Sequence, residues 1–153
     1  MTGSAASSAH DVELSIPPSQ EYLDLARMVV TTTAALDPLF PENRVSDLRL
    51  AVSEACTNAI EAHRRLERTE PITIHCRLTD ERIEVTVRDK GGGFSPDDRT
   101  QLPDPTDPAR LDHERGLGVD LIRAVADESE FRQADGGTVV RLVVHTRNPA
   151  HQQ

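Results

Sequence analysis

The sequence has little positive charge. Lys90 is its only lysine, and 17 basic residues stand against 26 acidic ones, which gives a net charge of -9. A protein that binds a nucleic-acid backbone neutralises phosphates with Lys and Arg. The charge balance therefore argues against direct nucleic-acid binding as the main role.

Long apolar runs are also missing. No stretch approaches the roughly 20 apolar residues of a membrane-spanning helix, and the start MTGSAASSAH lacks the basic and apolar regions of a signal peptide. The two cysteines, Cys56 and Cys76, form no Cys-x-x-Cys motif and suit a reducing compartment. We therefore expect a cytoplasmic protein that does not contact a membrane.

Hydrophobic periodicity predicts one folded domain over residues 11–146, between a disordered tail (1–10) and a C-terminal tail (147–153). Alternating or helical patterns predict strands over 11–17, 72–78, 82–89, 129–133 and 138–146, and helices over 17–36, 43–66 and 118–128. Ser19 is the candidate cap of the first helix, and Leu36 is the last residue of its apolar stripe. This order predicts an α+β fold: a two-layer α/β sandwich with helices on one face of a mixed, mostly antiparallel sheet.

Two glycine clusters flank a long loop. DKGGGF follows a predicted strand, RGLG opens a predicted helix, and the segment 95–115 between them carries four prolines and six acidic residues. A loop of this length in a compact domain is often a functional lid, and the N–H groups at a helix start attract anions. Taken singly, each cluster is more typical of an ordinary turn or helix cap.

An acid and an amide lie one turn apart on the second predicted helix. In SEACTNAIEAH, Glu54 and Asn58 are four residues apart, so they project about 40° apart from nearly the same side of the helix. An amide oxygen is a suitable ligand for Mg²⁺, and a carboxylate can orient or deprotonate a hydroxyl. A solvated helix face would produce the same pair, so the pair alone does not distinguish a functional site from an ordinary surface.

The combination of these features resembles a known family. Glu54-x-x-x-Asn58, Asp89-x-Gly91-x-Gly93-Phe94, Gly116-x-Gly118 and Gly137-Thr138 resemble, in order and spacing, the N box and the three glycine boxes of the GHKL ATPases, the Bergerat fold. The short length, the SEACTNAI segment and the lack of a histidine-bearing dimerisation helix make the chain similar to the bacterial anti-sigma factor serine/threonine kinases of the RsbW type. The resemblance covers roughly residues 11–145.

This resemblance implies an ATP site with an adenine end and a phosphate end. At the adenine end, Asp89 would accept a hydrogen bond from the adenine 6-amino group, and Thr138 would support it. Gly91 and Gly93 would let the backbone pass close to the base and ribose, where a Cβ would obstruct it.

At the phosphate end, the resemblance implies that Asn58 holds Mg²⁺ bridging the phosphates. Gly116, Leu117 and Gly118 would bind the phosphates, with backbone N–H groups presented at a helix start. Glu54 would be the general base for a serine hydroxyl of the protein substrate.

The implied function is transcription regulation in a bacterial stress response. The protein would inhibit an RNA polymerase sigma factor and use MgATP to phosphorylate a Ser/Thr of an anti-anti-sigma protein of the STAS type. It would form a homodimer through its first strand and helix. Two alternatives stay open: a non-catalytic, ATP-binding anti-sigma module, and a detached ATPase domain of a histidine kinase. The presence of Glu54 favours the kinase.

The chain also departs from the family pattern. Where many relatives carry a histidine four residues after the metal-binding asparagine, this chain has Ala62, and His63 follows it. The change could matter little or could weaken nucleotide handling. Arg115 could reach a phosphate or a partner protein, or be a surface charge at a helix start. Lys90 is expected to face solvent.

Overall fold

The order of elements agrees with the prediction. The computed structural model describes residues 9–92 and 116–146, with residues 116 and 117 described by their backbone alone. The elements are β1 (His10–Ile16), a short 3₁₀ helix (Gln20–Tyr22), α1 (Leu23–Ala34), α2 (Glu42–Arg65), β2 (Ile72–Leu78), β3 (Arg82–Arg88), α3 (Gly116–Val125), β4 (Glu128–Ala134) and β5 (Gly137–His145). The expected tails and the lid over 95–115 fall almost wholly outside the described residues, except that β1 begins at His10.

The five described strands form one sheet in the order β1-β2-β3-β5-β4. Every described pairing is antiparallel, whereas the sequence predicted a mixed, mostly antiparallel sheet. The reason is topological: β2–β3 and β4–β5 are hairpins with short turns, which can only be antiparallel. The remaining pairs, β1–β2 and β3–β5, are antiparallel as well. The predicted two-layer α+β fold is confirmed.

The core lies between the sheet and the helices. Alternation puts one face of β2 and β3 inside, so Ile74 and Val87 pair directly across the two strands and are both buried. On α2 the sequence predicts an apolar stripe of Val45, Leu48, Val52, Ala55, Ala59 and Ala62; all but Val45, which is partly buried, are buried. Four of these positions on the helix are fully or almost fully excluded from water, and this burial is the main stabilisation of the layer.

The first helix differs from the prediction at both ends. The chain makes a 3₁₀ turn first, and Ser19 provides no side-chain cap. Its hydroxyl donates to Glu21 instead, at 3.4 Å. The helix stops at Ala34, so Leu36 leaves the helical stripe and is 53% exposed. Local spacing alone did not show where the helix would end.

An arginine fixes α3 against α2. Arg44, near the start of α2, forms ion pairs with Asp47 and Asp127, and its Nη1 donates to the carbonyl of Val125 at 3.4 Å. The C-terminal end of α3 is therefore held beside the first turns of α2. The two helices run antiparallel to one another, so the first turn of α3 lies beside the middle of α2.

Candidate nucleotide site

Glu54, Asn58 and Gly118 meet where the start of α3 approaches the middle of α2. Both side chains on α2 are half-buried. A Cβ placed on Gly118 would lie 2.7 Å from Glu54 Oε2 and 3.6 Å from Asn58 Nδ2. With no Cβ at this position, the first turn of α3 can lie directly against a carboxylate and an amide, which a larger residue would push aside.

The start of α3 adds backbone hydrogen-bond donors beside Glu54 and Asn58. Because α3 begins at Gly116, the N–H groups of its first turn lack acceptors within the helix. Such an end carries partial positive charge and binds anions. The backbone of Leu117 belongs to the same first turn. The arrangement suits phosphate oxygens near an amide that can bind a metal ion.

Asp89 forms a second centre, directly after β3. Its side chain is 8% exposed. Oδ1 accepts hydrogen bonds from the backbone N–H of Gly91 at 2.9 Å and of Thr138 at 3.1 Å. Every hydrogen bond donated to this carboxylate within the described residues reaches Oδ1. Oδ2 is thus the oxygen that can accept from a ligand.

Burial raises the pKa of the Asp89 carboxyl above its ordinary value. The two backbone donors, from Gly91 and Thr138, and the nearby His63 act in the opposite direction. Desolvation is the largest of these effects, so the charged carboxylate is held at some cost in folding free energy. A buried acid with a perturbed pKa at a strand end is typical of a functional position.

Two glycines around Asp89 are required by packing. A Cβ on Gly91 would lie 2.4 Å from the Cβ of Ala62 on α2, and a Cβ on Gly137 would lie 1.7 Å from the carbonyl oxygen of Asp89. Distances this short cannot be accommodated without moving the backbone. Gly91, assigned from the family resemblance to the nucleotide, thus also lets the Asp89 turn lie directly on α2.

The described site residues fall into two groups along α2. Glu54 and Asn58 lie beside the start of α3, while Asp89, Gly91 and Thr138 lie beside the last turn of α2 at Ala62. The groups are about 6 to 12 Å apart along the helix axis, at 1.5 Å per residue. One elongated ligand could therefore contact both. Gly93, the 95–115 segment and Arg115 lie outside the described residues.

His63 lies in the core beside the site, a position that the sequence did not predict. It is fully buried, and its Nε2 accepts a hydrogen bond from the backbone N–H of Lys90 at 2.7 Å. The signal was available in the sequence: a histidine adjoining the apolar stripe in the last turn of a helix. The side chain of Lys90 is exposed, as expected, and its Nζ donates to the carbonyl of Asp135.

Two kinds of feature are absent from residues 9–92 and 116–146. No group of three or more His, Cys, Asp or Glu side chains that could hold a metal ion is found there. None of the helices in the same part of the chain is long and apolar enough to cross a membrane.

Residues 16–144 match the family model of the histidine kinase-like ATPase domain. The serine-protein kinase RsbW of Bacillus subtilis (strain 168) is 30% identical over 131 residues, which cover 84% of this chain and 81% of that protein. This chain belongs to the RsbW family of histidine kinase-like ATPases. The RsbW kinase of Bacillus pumilus is 32% identical over 136 residues, with coverage of 84% and 82%. The predicted family is confirmed, and the predicted enzyme class agrees with the names of these RsbW relatives.

Solved structures show the same fold. The crystal structure of the RsbU and RsbW domains of Rv1364c from Mycobacterium tuberculosis superposes with a TM-score of 0.64 at 16% identity, covering 88% of this chain and 31% of that one. The SiaB-SiaC complex from Pseudomonas aeruginosa gives 0.61 at 14% identity, covering 87% and 88%. As a member of an ATPase family, this RsbW-like chain uses a nucleotide.

Proposed function

We propose that the chain is an anti-sigma factor and a MgATP-dependent protein serine/threonine kinase. It binds and inhibits an RNA polymerase sigma factor, and it phosphorylates a serine or threonine of an anti-anti-sigma protein of the STAS type. The kinase assignment rests on one observation: Glu54 and Asn58 lie close to Gly118. A protein that only sequestered a sigma factor would have no chemical need for a carboxylate at that place.

The adenine end is assigned to Asp89. The two backbone donors fix Oδ1, so the orientation of the carboxylate is set before any ligand binds. Oδ2 would accept the 6-amino hydrogen of adenine, while guanine presents a carbonyl oxygen at that place. A buried acceptor facing another acceptor is unfavourable. The site should therefore prefer adenine nucleotides, with Thr138 and Gly91 holding the acceptor in place.

The phosphate end is assigned to Asn58 and the first turn of α3. Mg²⁺ in proteins is commonly held by one or two side-chain oxygens together with substrate phosphates. Asn58 could supply one such oxygen, and its amide lies beside the first turn of α3. When bound, the ion would neutralise charge on the phosphates. Backbone N–H groups of Gly116, Leu117 and Gly118 would hold the phosphate oxygens.

Glu54 is assigned to the substrate hydroxyl. During transfer, the serine oxygen bonds to the γ-phosphorus while the bond from that phosphorus to the leaving ADP breaks. The Glu54 carboxylate takes the hydroxyl proton. Phosphoryl transfer depends mainly on positioning and charge neutralisation, so a short set of residues can suffice.

The partner surfaces are proposed from the edge of the fold. β1 is an edge strand, and α1 beside it exposes Leu25 at 42% and Met28 at 63%. We propose that β1 and α1 form a homodimer, and that the chain works in the cytoplasm with its sigma factor. A monomeric mass by light scattering at micromolar concentration would contradict the dimer.

The kinase is tested by supplying the protein substrate. The chain, immobilised with and without ATP, captures its partners from the source cell, and a captured STAS-domain protein is purified. Incubation with γ-labelled MgATP should then label a serine or threonine of that protein, and removal of Mg²⁺ should abolish the labelling. Tight binding of the sigma factor without any transfer would favour the non-catalytic module. Label on a histidine would favour a histidine kinase fragment.

A further inference from the structure

His63 is buried at the end of α2 with its two ring nitrogens in different situations. Nε2 accepts from the backbone N–H of Lys90 at 2.7 Å. Nδ1 has no hydrogen-bond partner among the described residues. Because the bond from Lys90 requires a lone pair on Nε2, a neutral ring must carry its proton on Nδ1. The buried donor that results has no partner among the described residues, which is unfavourable, so an apolar residue would fill this volume without that penalty.

The acceptor on His63 completes the hydrogen bonding of the turn after β3. The N–H of Asp89 donates to Thr138, that of Gly91 to the Asp89 carboxylate, and that of Gly92 to the carbonyl of Gly136. These three bonds stay within the turn and the neighbouring β4–β5 connection. The bond from Lys90 is the one in this series that ties the turn to the helical layer.

The bond acts on the peptide unit that carries Asp89. The carbonyl of Asp89 and the N–H of Lys90 belong to one planar group, so fixing both ends fixes its orientation. The carbonyl oxygen lies so close to Gly137 that a Cβ there would come within 1.7 Å of it. The N–H is held by His63 from the other side. The next peptide unit carries the N–H of Gly91, which binds Oδ1 of the carboxylate, so a rotation about the Cα–C bond of Asp89 would carry this donor away from Oδ1.

We propose that His63 is a positioning residue for adenine recognition: its Nε2 locks the Asp89–Lys90 peptide and thereby the direction of the Asp89 carboxylate. This inference rests on the proposed function, because it concerns the same nucleotide site. It gives the buried histidine a role in selectivity between adenine and guanine nucleotides. It also predicts that the residue acts on nucleotide affinity and not on the rate of transfer once ATP is bound.

The test compares MgADP and MgGDP binding by calorimetry in the wild type, in two variants of His63 and in one control variant. His63→Leu removes the acceptor and keeps an apolar side chain of similar bulk, and His63→Gln restores an acceptor oxygen on a flexible chain. Loss of one neutral hydrogen bond corresponds to a drop of about three- to tenfold in affinity. We expect this drop for MgADP in His63→Leu, little change for MgGDP, and recovery of most of the affinity in His63→Gln. The KM for MgATP should rise by the same factor while kcat stays unchanged.

Leu48→Ala is the matched control, since Leu48 is a fully buried residue at the other end of α2. It should lower the melting temperature and leave the preference for ADP over GDP intact. The proposal is overturned if folded His63→Leu keeps the wild-type preference, or if His63→Gln behaves like His63→Leu. If the wild type binds neither nucleotide, the proposed function fails and this inference falls with it.

A measurement on the unaltered protein covers the case in which His63→Leu does not fold. In ¹⁵N-labelled protein, the amide nitrogen of Lys90 should show a scalar coupling through the hydrogen bond to Nε2 of His63, and Nδ1 should carry the ring proton. His63→Gln then supplies the affinity comparison. A ring protonated on Nε2, with no coupling to Lys90, would overturn the proposal.

Discussion

Gly118 lies so close to Glu54 that a Cβ on the glycine would come within 2.7 Å of the carboxylate oxygen Oε2. We predict that Gly118→Ala displaces this carboxylate, because the end of a flexible side chain moves more easily than a helix. The fold should be retained, and alanine is favoured over glycine in a helix by about 1 kcal/mol. Phosphate transfer should fall about 10- to 100-fold, since small misplacements at a reacting centre are costly.

The control for Gly118→Ala is Ala124→Gly on the exposed side of the same helix. It should lower the melting temperature and leave transfer unchanged. If Gly118→Ala instead lost stability and activity together, the effect would be on the fold and not on Glu54.

Glu54→Gln keeps the shape of the side chain and removes the basic site. We expect MgATP and sigma-factor binding to survive, and transfer to the antagonist to fall by about 10²–10⁴-fold if Glu54 is a full general base. The fall could be smaller, because a loose transition state needs little help in deprotonating its nucleophile. The same substitution at exposed Glu42 on the same helix should have no effect. Transfer at the wild-type rate in Glu54→Gln would disprove the general-base role.

Asp89→Asn should affect stability and nucleotide binding in opposite directions. The raised pKa of Asp89 means that the ionised carboxylate is less favourable in the folded chain than in the unfolded one. Stability associated with this group is therefore lost as pH rises through the folded pKa, which lies above the ordinary value of 3.8. At neutral pH the ligand-free variant should melt higher than the wild type.

The same variant should bind MgADP more weakly, by about 1–3 kcal/mol, because the amide can present a donor where the base needs an acceptor. Asp80→Asn, at an exposed turn on the chain, provides the control for the loss of one charge. Equal affinities of wild type and Asp89→Asn in calorimetry would remove Asp89 from the adenine site.

Two adjacent glycines separate the effect of packing from that of backbone conformation. Gly136 has a φ of +77° but open space around its Cβ position, whereas Gly137 is blocked by the carbonyl of Asp89. We predict that Gly136→Ala costs about 1–2 kcal/mol of stability. Gly137→Ala should cost more, beyond the about 1–3 kcal/mol of ordinary overpacking, because backbone and not a side chain lies in the way. Similar losses in denaturant titrations would show that the close packing is wrong.

The sequence predicted those features that follow from periodicity. The stripe of α2 and the alternation of β2 and β3 are local patterns, and their burial follows from which face is apolar. The end of α1 before Leu36 and the unused cap at Ser19 depend on where the chain must turn, which a stripe does not encode. The role of His63 depends on which turn lies against the last residues of α2, a contact 27 residues away in the chain.

The site residues divide in the same way. The spacing of Glu54 and Asn58 gave their shared side of the helix, and the resemblance gave their proposed roles. Their proximity to Gly118 arises from the packing of α3, which Arg44 holds in place from a distance. The second use of Gly91, as the point where the turn contacts Ala62, was not visible in a glycine-rich segment by itself.

The central claim is that one nucleotide connects the two ends of this site. A crystal structure of the chain grown with MgADP tests it most directly. We predict the adenine 6-amino group on Oδ2 of Asp89, the metal ion on the amide oxygen of Asn58, and phosphate oxygens on the first turn of α3. A nucleotide bound elsewhere, or one that contacts neither Asp89 nor Asn58, would contradict it.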